Sequence, residues 1–137
     1  MLGLLLEAPH VFVEDLSIRS IERARDEFER GELRARLARH HGANVDVAFW
    51  GWNRAWLDPG FRAWDLRGHL PSVRAPVLVV QGDDDPYGTL AQVDAIEHGV
   101  NGRFERCVVA RCGHHPHREQ REITLAAMTR FAAGLAS

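Results

Sequence analysis

The sequence is short of sulfur, of unbalanced charge and of long apolar runs. Two cysteines, Cys107 and Cys112, are too few for a disulfide scaffold and suit a reducing cytoplasm. Basic side chains number 17 and acidic ones 19, a net charge of −2. A nucleic-acid or anionic-membrane partner needs a basic excess, so neither is expected. No apolar run approaches the ~20 residues of a membrane span. The start, Met1-Leu-Gly-Leu-Leu-Leu-Glu7, has no basic n-region, and its apolar stretch is too short for a signal peptide. Internal repeats, low-complexity stretches and flexible linkers are absent as well. What is present is 137 residues, 45% apolar and 26% charged, the composition of one ordinary globular domain that can bury a core.

Three apolar runs read as strands: Leu2 to Leu6, Pro76 to Gln81 and Phe104 to Ala110. Continuous runs of this length suit strands buried on both faces of a parallel sheet. Between the second and third, Leu90, Val93, Ile96 and Val100 recur at helical spacing from Thr89 to His98, with Gly99 as the stop. After the third run, Ile123, Ala127, Phe131 and Leu135 form an i,i+4 ladder on a helix that Pro116 opens. From residue 76 the order is therefore β-α-β-α, a right-handed parallel crossover with a covering helix.

The stretch from Asp15 to about His69 is helical throughout. Ile18, Ile21, Arg25 and Phe28 make one stripe, which Gly31 breaks. Leu33 and Leu37 start a second helix that ends near Gly42, where His40 and His41 favour the helix carboxyl end as cations. Val45, Phe49, Trp52 and Trp56 make a third stripe, closed by Pro59-Gly60, and Leu66 to Leu70 adds a last turn. All four tryptophans fall here. The expected divisions are 1–14, strand and loop of the core; 15–70, an all-helical insertion; and 71–137, the βαβα part of the core.

In open parallel sheets, ligands bind beyond the carboxyl ends of the strands. Those ends carry Glu7-Ala-Pro-His10, then Gly82-Asp-Asp-Asp-Pro-Tyr-Gly-Thr89, then Arg111-Cys-Gly-His-His-Pro-His-Arg-Glu119. Asp85 and His114 stand 29 residues apart, one βα unit. That spacing lets a carboxylate take the Nδ1–H of an imidazole, fixing its tautomer and stabilising the imidazolium formed when histidine acts as a base. Asp83 and Asp84 are rivals for the acid. His10 and Tyr87 are candidate substrate contacts at the same rim, and Trp52 is a candidate on the tryptophan-rich helix. A metal set drawn from His114, His115, His117 and the aspartates is the weaker reading, because such clusters are common in loops without a metal, and no metal is expected. His117 and Glu119 lie in a first helical turn and read as capping or supporting residues. Cys112, beside His114, lacks the turn that would present a nucleophile.

Strand-Gln-Gly-x-x-Asp-x-Tyr-Gly-Thr, a helix, a strand, then Cys-Gly-His-x-Pro-His resembles the C-terminal half of an α/β-hydrolase. Leu4-Leu-Leu-Glu-Ala-Pro-His10 resembles the strand before that family's lid, so the resemblance spans essentially the whole chain. It implies a truncated α/β-hydrolase fold, with about three parallel strands, covering helices and an all-helical lid. In the family the triad runs Ser…Asp…His along the chain. Asp85 then matches the acid and His114 the base.

The family's Gly-x-Ser-x-Gly elbow has no counterpart here. Ser17, Ser20, Ser72 and Ser137 are the only serines, and none follows a strand in such a turn. The resemblance therefore implies a C-terminal fragment, from a truncated gene, a mis-called start or one half of a split protein. The parent activity it implies is cleavage of an ester, thioester, amide or C–C bond beside a carbonyl in a small molecule, without a cofactor, in the cytoplasm. Alone, the chain is expected to be inactive. The competing expectation is a non-catalytic degenerate fragment, or a subunit completed by a partner or a second copy through the unpaired edge of the first strand.

Overall fold

The structure, a computed structural model, describes residues 2–135. Its chain divides into two compact units: residues 2–12 with 65–135, and Val13–Trp64.

The first unit is built on β2 (Val77–Gly82). Val77, Leu78, Val79 and Val80 are each at most 1% exposed, so the strand is apolar on both sides. Alternation sends Val77 and Val79 into one cluster with Val93 and Ile96, and Leu78 and Val80 into another with Ala127 and Phe131. Each such side chain contributes about 1.5–3 kcal/mol by leaving water. β1 (Leu4–Glu7) and β3 (Phe104–Val109) flank β2, both parallel to it, in the order β1-β2-β3. The register sets Leu4 against Val77 and Val77 against Phe104. This is the expected α/β arrangement of three parallel strands.

Among the described residues, six α-helices lie between or after these strands. In the second unit, α1 (Asp15–Arg30), α2 (Leu33–His41) and α3 (Val45–Leu57) follow one another. Phe28 and Phe49 stack with centroids 3.7 Å apart and join Ala24 and Val45 in that unit's core. Asn53 is buried there and donates from Nδ2 to the Ile21 carbonyl at 3.1 Å. In the first unit, α4 (Leu90–Gly99) links β2 to β3, and Thr89 Oγ1 caps it by accepting from the Ala91 N–H. α4 also buries Gln92. Its Oε1 accepts from the Val11 N–H at 2.8 Å and its Nε2 donates to the Phe12 carbonyl at 3.1 Å. Phe12 bridges Asp65 antiparallel, and the Leu66 N–H donates to the Val11 carbonyl, so the departing and returning passes of the chain run side by side.

Three local expectations change. The helix expected from Pro116 is two: α5 (Pro116–Glu119) and α6 (Arg121–Ala133), parted at Gln120 with φ −137° and ψ 56°. On α6 the inward ladder is Thr124, Ala127 and Phe131, while Ile123 is 52% exposed. Gly99 is not a stop but the last helical residue, and its missing side chain makes room for Leu70, whose atoms would lie 2.6–2.7 Å from a Cβ.

Gly82 holds a tighter position. A Cβ there would lie 2.2 Å from both the Cys112 and Gly113 carbonyl oxygens. Only glycine lets the end of β2 touch the loop after β3. Gly82→Ala should therefore lower stability by about 1–3 kcal/mol, as overpacking does. Gly51→Ala, in α3 with nothing near its Cβ position, should raise stability by about 0.5–1 kcal/mol. Urea-unfolding midpoints of the two variants should move in opposite directions.

Candidate active site

Parallel strands bring the three carboxyl ends to one rim. After Gly82 the chain turns at once. The Asp83 N–H donates to the Val109 carbonyl at 3.1 Å and the Asp84 N–H to the Cys112 carbonyl at 3.0 Å. Asp83 and Asp84 stay exposed, whereas Asp85 is folded inward and is 6% exposed. After Val109, Arg111 adopts a left-handed φ of 54°, a sharp turn that feeds Cys112, Gly113 and His114 back over the end of β2.

Asp85 and His114 meet there. His114 Nδ1 lies 2.8 Å from Asp85 Oδ2. The same oxygen accepts from Gln81 Nε2 at 2.7 Å, and Oδ1 accepts from the Tyr87 N–H at 2.8 Å. Burial works against the charge of this carboxylate. The hydrogen bonds from His114, Tyr87 and Gln81, with the nearby charge of His114, outweigh it and hold Asp85 below its ordinary value. An ionised carboxylate only accepts, so Nδ1 bears the hydrogen of this bond, and in the neutral ring Nε2 carries the lone pair. The His114 side chain remains 29% exposed, so it is accessible. An imidazole in that tautomer beside a buried carboxylate can take a proton and hand it on.

Two of the candidate substrate contacts join this group. The Tyr87 ring lies 5.0 Å from that of His114, centroid to centroid, and the His10 ring 6.0 Å. Gly88 gives His10 its place, since a Cβ there would lie 3.1 Å from His10 Cε1. Trp52 belongs to α3 of the second unit, where it meets Phe49 edge-on at 5.7 Å. His117 points its Nδ1 at Glu7 Oε1, 2.7 Å away. Burial pushes the His115 pKa down, aided by His114. Cys112 is 1% exposed, and burial pushes its thiol up, with nearby carboxylates adding to the effect, the reverse of an activated nucleophile. Among the described residues, no group of three or more His, Cys, Asp or Glu could hold a metal ion.

The sequence motif opens on Gln81 but gives it no role. The available signal is a polar residue closing an apolar run, four residues before Asp85. Its side chain, 1% exposed, also donates to the Gly88 carbonyl at 3.3 Å, so it spans both ends of the turn that carries Asp85.

No family model matches the sequence, and no curated protein does. Solved structures do match. A bacterial membrane phospholipase A superposes with a TM-score of 0.67 at 22% identity, over 100% of this chain and 50% of that one. A thermophilic esterase from Thermogutta terrifontis gives 0.61 at 18%, over 99% and 57%. A proline iminopeptidase from Mycobacterium smegmatis gives 0.59 at 16%, over 98% and 58%. The chain thus has the α/β-hydrolase fold, and it spans about half the length of the solved structures it matches.

Since Asp85 is held below its ordinary value of 3.8, it adds stability above that value and loses it as pH falls through the lower, folded value. Urea midpoints of the wild type should fall along an acid limb starting near pH 4. In Asp85→Asn that limb should be shallower. Equal slopes would show that the carboxylate is not linked to folding.

Proposed function

We propose that this chain supplies the acid and the base of a serine-type α/β-hydrolase, with a nucleophile that lies outside it. The observation that carries this reading is the 2.8 Å contact between His114 Nδ1 and the buried Asp85 carboxylate, at the carboxyl rim of a parallel sheet. His114 Nε2 takes the proton of a serine hydroxyl as that oxygen attacks a carbonyl carbon, then returns it to the leaving group. Asp85 keeps Nδ1–H in place and stabilises the imidazolium between those steps. His10 and Tyr87 contact a small carbonyl-containing molecule: an ester, thioester, amide or activated C–C bond. No cofactor enters.

The serines of the chain support the nucleophile's lying elsewhere. Ser17 and Ser20 are buried in α1, and Ser72 sits in a 3-10 turn, donating to the His69 carbonyl. Ser137 lies outside the described residues. A fragment reading follows, with the chain as the C-terminal half of a longer hydrolase. A cytoplasmic setting agrees with the free Cys107 and Cys112 thiols. No helix among the described residues is long and apolar enough to cross a membrane.

A second reading, a subunit completed by a partner or another copy, draws on β1. Among the described residues its pairing is with β2 alone, and Leu5 on it is 41% exposed. A short apolar edge of this kind invites another strand.

The test is the reading frame upstream of the Met1 codon. An in-frame Gly-x-Ser-x-Gly is expected, and the extended protein should hydrolyse p-nitrophenyl esters. Replacing His114 by Ala in it should cut kcat at least about 10⁴-fold. The 137-residue chain alone should show no turnover. An upstream stop codon, with self-association of the inactive chain, would favour the second reading.

A further inference from the structure

We infer that Glu119 is a positioning residue for His114, an inference that rests on the acid–base reading above. Glu119 ends the single turn of α5, which folds it back beside the loop after β3. Its Oε2 accepts from the Gly113 N–H at 2.7 Å, and its Oε1 accepts from the His115 N–H at 3.0 Å. These are the backbone donors immediately before and after His114. One planar carboxylate therefore ties down the Cys112–Gly113 and His114–His115 peptide groups, with only the Gly113–His114 link between them. Those two anchors restrain the swing of the His114 Cα–Cβ bond, and χ1 and χ2 then bring Nδ1 to Asp85 Oδ2.

Two independent features agree with this clasp, and the ionisation of Glu119 follows from it. Gly113 leaves room for it, because a Cβ there would sit 3.0 and 3.1 Å from the two carboxylate oxygens. The Gly113 and His115 N–H groups hold the Glu119 carboxyl below its ordinary value, so it is ionised and both bonds are charge-assisted. The turn that places Glu119 is itself closed by backbone bonds, from the Arg118 and Glu119 N–H groups to the His115 carbonyl, both 2.9 Å. Glu7 makes a comparable contact farther along, accepting from the His117 N–H at 2.8 Å, but its partner does not flank His114.

The test uses the chain itself and needs no turnover. In the wild type, the His114 Nδ1–H proton should appear as a slowly exchanging, far-downfield NMR signal, because it is held by Asp85. Glu119→Ala removes both acceptors. That proton should then exchange with water at least about tenfold faster, or be lost, since each charge-assisted bond is worth a factor of ten or more. Glu119→Gln keeps one carbonyl acceptor and the side-chain volume, and should fall between the two. It also carries the test alone if the alanine variant does not fold. An unchanged His114 signal in a folded variant, with faster exchange at the Gly113 and His115 amides, would overturn the proposal, for Glu119 would then order the backbone without directing the imidazole. A wild type with no such proton would instead remove the acid–base reading itself, and this inference with it.

Discussion

A carboxylate taken out of water stays ionised only where donors replace the water it lost, and Asp85 meets that condition three times over. Its side chain is 1% exposed. The Gln81 amide, the Tyr87 N–H and the His114 imidazole supply the donors. They come from the end of β2, from the acid's own turn and from the loop after β3. The carboxylate thus ties the end of one strand to the exit of its neighbour. Removing one donor leaves a buried charge short of a partner, a cost of about 1–3 kcal/mol or more. The site and the core are for that reason one packing problem. β2 must be buried for Gln81 to sit where it does, and Gly82 must lack a side chain for the Cys112–Gly113 backbone to close over it.

The elements governed by burial were legible in the sequence. The run Val77 to Val80 has no polar residue, and a strand with no polar face must be covered on both sides. From that followed the parallel sheet, the crossover helix and the two loops at one rim, and hence the placing of Asp85 near His114. The elements governed by single contacts were not legible. Gly99 looks like any glycine after a helix, and only the approach of Leu70 reveals its reason. Ile123 and Thr124 are adjacent, about 100° apart around a helix, and spacing alone favoured the more apolar one. Both share a face with Ala127 and Phe131, at i,i+4 for Ile123 and i,i+3 for Thr124, and the structure buries Thr124. Gln81 and Glu7 act through one amide or carboxylate each, and a contact of that kind leaves no period to count; Glu119 reads from its place in a first helical turn as a supporting residue, but the groups it holds are not legible there.

Holding an acid–base pair and using it are separable demands. The first is met locally: the Gln81 amide, the Tyr87 N–H and His114 hold Asp85, and Glu119 holds the Gly113 and His115 N–H groups, all within one sheet rim, so the geometry draws on no residue from outside this unit. The second is not local. Most of the rate enhancement in acyl transfer comes from donors aimed at the developing oxyanion and from an aligned nucleophile. A base without them has a proton to accept and nothing to gain from accepting it. Under the proposed reading, dividing such an enzyme between two chain segments costs the fold of this half little and its chemistry nearly everything. The edge of β1 is then the natural place for the two demands to be rejoined, because a strand laid parallel along it would extend the same sheet and bring a further carboxyl end to the rim that already carries Asp85 and His114.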